Sequence, residues 1–520
     1  MRNMGKDIPL QSNKLLAIGL DAGDLYFIQS RLDHLPNLAK LVARSQIFRP
    51  ASPVSLSGSV WPTFYTGSEP GHHGIYQHLL WNPQRMGLKR IDSAWCRRTP
   101  FWKTLDEKGL RSIVVDVPYC FSNQLSNSVE ILDWGTHGQT MPVAANSSEV
   151  LDFVRKFGPS PIGRETPIRK SDKELERIRS VVKQSAARKA DLILELMENF
   201  EWDLCLPVFG ETHRAGHIFY SDQDLPQAND VESPLLDAYR AVDTAIGRVM
   251  NAVDPETTSV MIFSVHGMMP DNNQSGLVTQ VIDRINKKFM AEHFGLAPIE
   301  KPEKSKSRPS RGLVNRLRGM IPDSLQLAVA KASPDFFRSW VVEQEIVGGI
   351  NWSRTPGFAL RTDIRSEVRL NLKGREKLGI LEPGSDQHKA YDALLHDVFL
   401  SLEDAERNHK LVDEVVSIRS LFPGEHAEML PDYVVRWKTL PLATHVRSPY
   451  IEDIHMELYG VRGGDHRDEG FILLDNKNSC ADVTPPEAIS DIAHLIENVV
   501  GASDPVPHAE SSIHVASARA

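Results

Sequence analysis

Residues 14–23 read KLLAIGLDAG, an apolar run from Lys14 to Leu20 that ends on Asp21, with Gly23 two positions further on. Such a run, closed by an acid and a glycine, describes a buried strand that hands a carboxylate to a loop. Loops at the carboxyl ends of strands are where open α/β sheets bind their ligands. Working outward, comparable runs recur at 112–117 (SIVVDV), 204–209 (LCLPVF) and 259–264 (SVMIFS), each preceded by a segment of helical character. Two of those segments are explicit: 172–200 spaces apolar residues at helical intervals among many charges, and 234–253 repeats the pattern. The alternation predicts an α/β fold, a mainly parallel sheet with helices on both faces.

The 520 residues include 59 Lys and Arg against 68 Asp and Glu, and 41% are hydrophobic. That balance excludes disorder, collagen or coiled coil as the dominant state. A net charge of -9 supplies no global cationic field for a nucleic-acid polymer or an anionic bilayer, so an anionic substrate must be held locally. Cys96, Cys120, Cys205 and Cys480 lie far apart, with no C-x-x-C pair, which fits a reducing compartment. The opening MRNMGKDIPLQSNK lacks the apolar core of a signal peptide, and no run approaches the roughly 18 apolar residues of a membrane span. A cytoplasmic location is expected. Neither a G-x-x-x-x-G-K-[ST] loop nor a G-x-G-x-x-G fingerprint occurs.

The first part of the core is expected over 14–284, after an N-terminal tail of 1–13. Composition then changes: 301–318 (KPEKSKSRPSRGLVNRLR) holds seven Lys and Arg against the single acid Glu303. A basic, largely helical insertion is expected over 285–345. Such charge runs ordinarily face solvent, the alternative being an amphipathic helix laid on a membrane or partner. A small cap is expected over 346–440, a final core segment over 441–501 and a disordered tail over 502–520.

Four segments carry chemistry. PVSLSGSVWPTFYTGSEPGHHGIY (53–76) packs hydroxyls, glycines and histidines into a loop that leads to a helix start, which suits an anion, although such stretches are often plain turns. GETHRAGH (210–217) follows a predicted strand, and His213 and His217, four apart, face one way on a helical turn. Imidazoles so placed serve as metal ligands or as ordinary core or surface histidines. SVHGM (264–268) ends another strand, and GGDHR (463–467) precedes the apolar FILL.

Together these segments resemble the type I phosphodiesterase/nucleotide pyrophosphatase family of the alkaline phosphatase superfamily. The resemblance runs from about Leu15 to Leu474 through IGLDAGD, LPNLAKL, TGSEPGHHGIY, FWKTL, DAYRAVDTAIGRVM, SVHGM, INWSRTPGFAL, NLKGREKLGILEPG, LPDYVVRW and GGDHRDEGFIL. It implies a metal-dependent hydrolase or transferase acting on a small phosphodiester or pyrophosphate-linked substrate, with two divalent ions, usually zinc, beside a Ser or Thr nucleophile. Counting back from Thr66-Gly67 puts the nucleophile on Ser57, with Ser55 and Ser59 as neighbouring alternatives. Asp21 and His266 match ligands of the nucleophile-side ion, and His217 and His466 match ligands of the other. Lys373 and Arg375 match residues flanking the pocket, although turn and surface charges read the same way. A sulfatase is disfavoured, since Cys205-Leu206-Pro207 lacks the arginine of a sulfatase motif.

The chain departs from the family at two positions. His213 stands where the family has an aspartate, and Val265 replaces the aspartate of its SDHG motif. One site thereby gains a third histidine, while the Asp21/Ser57/His266 site loses a carboxylate. Neutral imidazoles at His213, His217 and His466 suit zinc. One tightly held zinc is expected, with a second ion weak or dependent on substrate phosphate. Glu211, Asp271 and Asp465 are the nearby carboxylates available to restore charge. The competing expectation is a non-catalytic binding or scaffold descendant with a degenerate site.

Overall fold

The computed structural model describes residues 14–54, 56, 58–92, 95, 98–137, 142–163, 170–221, 224–225, 232–271, 274–296, 343, 347–360, 366–456, 463–476 and 483–501. Ser55, Ser57, Cys96, Cys480, the basic stretch 301–318 and the expected tails lie outside the described residues.

The strands that matter are, in chain order, β1 (Lys14–Leu20), β2 (Gln46–Phe48), β3 (Ser112–Val115), β4 (Val129–Leu132), β5 (Ala144–Ala145), β6 (Leu204–Phe209), β7 (Thr258–Ser264), β8 (Gly267–Pro270), β9 (Gly357–Leu360), β10 (Glu367–Leu370), β11 (Val412–Ser417), β12 (Tyr433–Trp437), β13 (Gly464–Arg467) and β14 (Phe471–Asp475). The helices are α1 (Val60–Thr66), α2 (Asp172–Asn199), α3 (Glu211–Phe219), α4 (Pro234–Met250), α5 (Ser275–Phe294) and α6 (Asp491–Val499).

One sheet runs β2-β14-β7-β1-β6-β3-β4-β5. Its five central strands, β7 to β4, are parallel, and antiparallel strands complete both edges. Along β1, Leu16, Ile18 and Leu20 pack among residues of α2 and α4, whereas Leu15 and Ala17 pack among residues of α1 and α6. Burial on both faces explains why these strands are apolar without alternation. Leu20 lies opposite Phe209 and Gly19 opposite Phe263, so β1, β6 and β7 finish at one level.

A smaller antiparallel sheet runs β9-β10-β12-β11. The sequence reading divides α5 between the core, to residue 284, and the insertion, from 285, but the apolar stripe Leu277, Val281, Ile285 and Phe289 packs with Val368 and Leu370 of the smaller sheet. Val446 and Ile454 join the same cluster. The second unit therefore begins near Ser275 and extends past residue 440. No helix among the described residues is long and apolar enough to cross a membrane.

Candidate metal centre

Three neighbouring strands release site residues at their carboxyl ends. Asp21 follows β1 directly, Gly210 leads from β6 into α3, and His266 stands two residues past β7. The Asp21 backbone N–H donates to Phe209 O (2.9 Å), and Thr212 Oγ1 donates to Asp21 O (2.6 Å), which locks β1 to the first turn of α3. A side chain at Gly210 would put its Cβ 2.5 Å from the His137 backbone nitrogen, so glycine lets the loop after β4 close over this turn. His466 comes from β13, which pairs antiparallel with β8, His466 opposite Met268. Next to it Arg467 Nε donates to Asp24 Oδ2 (3.1 Å), tying β13 to the loop after β1.

The imidazoles converge. His466 Nε2 lies 3.1 Å from His213 Nε2 and 3.1 Å from His217 Nε2, and all three residues are buried. His217 Nδ1 is 2.8 Å from Gly464 O, an acceptor only, so Nδ1 carries the proton and Nε2 presents its lone pair. His266 Nδ1 faces Gly267 O at 3.2 Å in the same way. Burial pushes His213 down to about 4, which leaves it neutral and able to ligate at pH 7. Asp21 is completely buried; burial pushes its carboxyl up, but His213 and His137 outweigh that and hold it well below the usual range.

Ligand–zinc bonds of about 2.0–2.1 Å at tetrahedral angles place the ligand atoms about 3.4 Å apart. His466 Nε2 has about that spacing, 3.1 Å, to both His213 Nε2 and His217 Nε2. Among the described residues, two groups bring ligand atoms within 4.8 Å of one another: His213, His266 and His466, and Asp21, His137 and His213.

Glu211, Asp271 and Asp465 belong to neither group. Glu211 is turned toward α2, where its Oε1 accepts from Ser185 Oγ (2.6 Å). Asp271, just past β8, donates its N–H to Gly463 O (3.0 Å), and Asp465 Oδ1 accepts the His466 N–H (2.6 Å). Val265 is fully buried in an apolar cluster with Trp61 and Phe263. Ser59 Oγ donates to Leu56 O (2.7 Å). Arg375 binds both oxygens of Asp432 at 2.7 Å and, like Lys373, lines a cavity of about 350 Å³ that contains none of the histidines.

Two residues escaped sequence reasoning. His137 places Nδ1 2.6 Å from Asp21 Oδ2 and stacks on His213, with ring centroids 3.7 Å apart. Its signal was a fourth strand end, VEIL before DWGTH, obscured by the charge of Glu130. Trp61 Nε1 donates to Asp21 Oδ1 at 2.8 Å, and nothing in its local sequence foretells this.

No curated protein sequence matches the chain. Among solved structures, phosphonoacetate hydrolase from Sinorhizobium meliloti 1021, complexed with phosphonoformate or phosphonoacetate, is 12% identical, with TM-scores of 0.51 and 0.52 over 95% of this chain and 97% of that one. That likeness shows the shared fold. Murine ectonucleotide pyrophosphatase/phosphodiesterase 5, an inactive variant complexed with AMP, is also 12% identical over 95% and 96% of the two chains, at a TM-score of 0.44. The family described as type I phosphodiesterase / nucleotide pyrophosphatase matches residues 15–381. With Asp21, the α3 histidines and His266 all inside that match, the chain belongs to the type I phosphodiesterase/nucleotide pyrophosphatase family, a family of metal-dependent phosphoester hydrolases.

Proposed function

We propose that the chain cleaves a small phosphodiester or pyrophosphate-linked substrate with zinc held by His213, His217 and His466 and with Ser57 as the nucleophile. The observation that carries this reading is that buried His466, which borders a cleft, places Nε2 3.1 Å from both His213 Nε2 and His217 Nε2. Zinc there would act as a Lewis acid toward phosphoryl oxygen and lower the pKa of an oxygen bound to it.

The protein's own part is positioning. The cleft, about 230 Å³, is bordered by His466, Met269, Arg436, Trp437 and Lys438. Arg436 is paired with Glu414 at 2.6 Å, while Lys438 is exposed and has no ion-pair partner among the described residues. It is the cation best placed to meet an anionic substituent. Ser59 is committed to Leu56 O, which favours Ser57 over that neighbour. Gly58, packed where a Cβ would lie 2.5 Å from Gln77 Cα, holds the turn that leads into α1. Ser57 Oγ would bond to phosphorus as the ester oxygen leaves and takes up a proton. Water, or another acceptor, would then break the seryl–phosphate bond.

Purified protein assayed with aryl phosphodiesters, aryl phosphomonoesters and nucleotide sugars, under added zinc or manganese, tests the reading. Diester turnover should depend on metal and fall by roughly a hundredfold or more in Ser57→Ala. Absence of turnover with every metal, or an unaffected Ser57→Ala, would overturn it in favour of a scaffold.

A further inference from the structure

The family pattern gives the Asp21 carboxylate to a second ion, yet in this chain protein N–H groups address both of its oxygens. Trp61 Nε1 donates to Oδ1 at 2.8 Å, and His137 Nδ1 reaches Oδ2 at 2.6 Å. An indole nitrogen is a donor only and cannot exchange that role for ligation. His213 Nδ1 approaches the same Oδ2 to 2.9 Å, at an angle that falls short of a directed hydrogen bond. On the far side, where the family has another carboxylate, Val265 is sealed among apolar side chains. His266, the remaining histidine of that second position, has Nε2 3.4 Å from Asp21 Oδ1 and groups with His213 and His466.

We propose that the centre holds one ion, on His213, His217 and His466, and that Asp21 serves it indirectly as the acceptor behind His213. An ion on Nε2 of a neutral imidazole leaves the ring proton on Nδ1, and Asp21 Oδ2 is the oxygen within reach. A carboxylate in that position fixes the tautomer and orientation of the ring and raises the basicity of the ligating nitrogen. With histidine at 213, the longer side chain places a ring between Asp21 and the ion, and Asp21 changes from ligand to positioning residue. His137 and Trp61 complete the change by donating to the charge that a second cation would otherwise neutralise. The inference rests on the hydrolase reading only for the presence of an ion.

Elemental analysis of the full chain, equilibrated with excess zinc and then desalted, tests the inference. One ion per chain is expected both with and without inorganic phosphate. In competition with a chelator, Asp21→Asn should keep one ion but hold it roughly 10–100-fold more weakly. Two ions in the wild type, one of them lost in Asp21→Asn, would make Asp21 a ligand and overturn the inference while leaving the hydrolase reading intact. Unchanged affinity in Asp21→Asn would overturn it as well. Should that variant not fold, the wild-type count and the end point of a cobalt(II) titration, expected at one equivalent, decide the matter. No ion under any condition would overturn both proposals.

Discussion

His73 shows how differently two buried histidines behave. Its Nδ1 accepts the Ile75 N–H at 3.1 Å, its Nε2 faces Thr63 Oγ1 at 3.1 Å, and among the described residues no carboxylate is paired with it as Asp21 is with His213. Burial, reinforced by His72 and His426, pushes His73 down to about 3. In the unfolded chain an ordinary imidazole titrates near 6.5. Between those values the unfolded state binds a proton that the folded state refuses, so His73 costs stability progressively as pH falls through the window and costs nothing above it. Asn at this position keeps an acceptor for Ile75. His73→Asn should therefore lose about 1 kcal/mol at pH 7, yet lose less of its urea midpoint than the wild type on going to pH 4.5. Parallel losses in the two proteins would show that His73 is not the group being titrated.

The decisive element is the turn from β6 into α3. At Gly210 φ is -86°, which any residue adopts, so the demand for glycine is steric: a Cβ would meet His137 N at 2.5 Å and Thr136 C at 3.1 Å. The opposing loop cannot easily retreat. Asp116 accepts the N–H groups of Trp134 (2.7 Å) and Gly135 (2.8 Å), while buried Lys189 on α2 binds Asp116 Oδ2 (2.9 Å), Gly135 O (2.9 Å) and Val208 O (2.7 Å). Gly210→Ala should cost about 1–3 kcal/mol in denaturant midpoint through overpacking. Because α3 carries His213 and His217, it should also weaken the zinc binding proposed for them. A variant as stable and as tight as the wild type would mean that the loop yields without strain.

For the whole molecule, an ion on the proposed ligands would join parts of the chain that folding must bring together. His466 lies 253 residues from His213 and 249 from His217, with most of the second unit between them in the chain. Ligand that binds the folded state alone stabilises it by about 2.7 kcal/mol at a hundred times Kd and about 4.1 kcal/mol at a thousand times. Chelation should lower the melting temperature by roughly a few degrees for a chain of this size, and re-added zinc should restore it. Calorimetry that finds no difference between stripped and reloaded protein would show that the site does not hold metal in the folded state.

The sequence by itself determined the sheet and the places where chemistry gathers. Apolar runs such as KLLAIGL and SVMIFS encode strands buried on both faces, and residues just past them must lie at one edge. The four-residue spacing of His213 and His217 is likewise local, since one turn of helix puts both rings on one face. Only the tertiary structure decided what surrounds Asp21. Trp61 and His137 lie 40 and 116 residues from it, and their N–H groups reach it because α1 and the loop after β4 pack as they do. The same holds for α5, whose amphipathic stripe announces a buried face but not which of two sheets will bury it. Periodicity is written in neighbouring residues, whereas the choice of partner depends on shape and close packing across the whole fold.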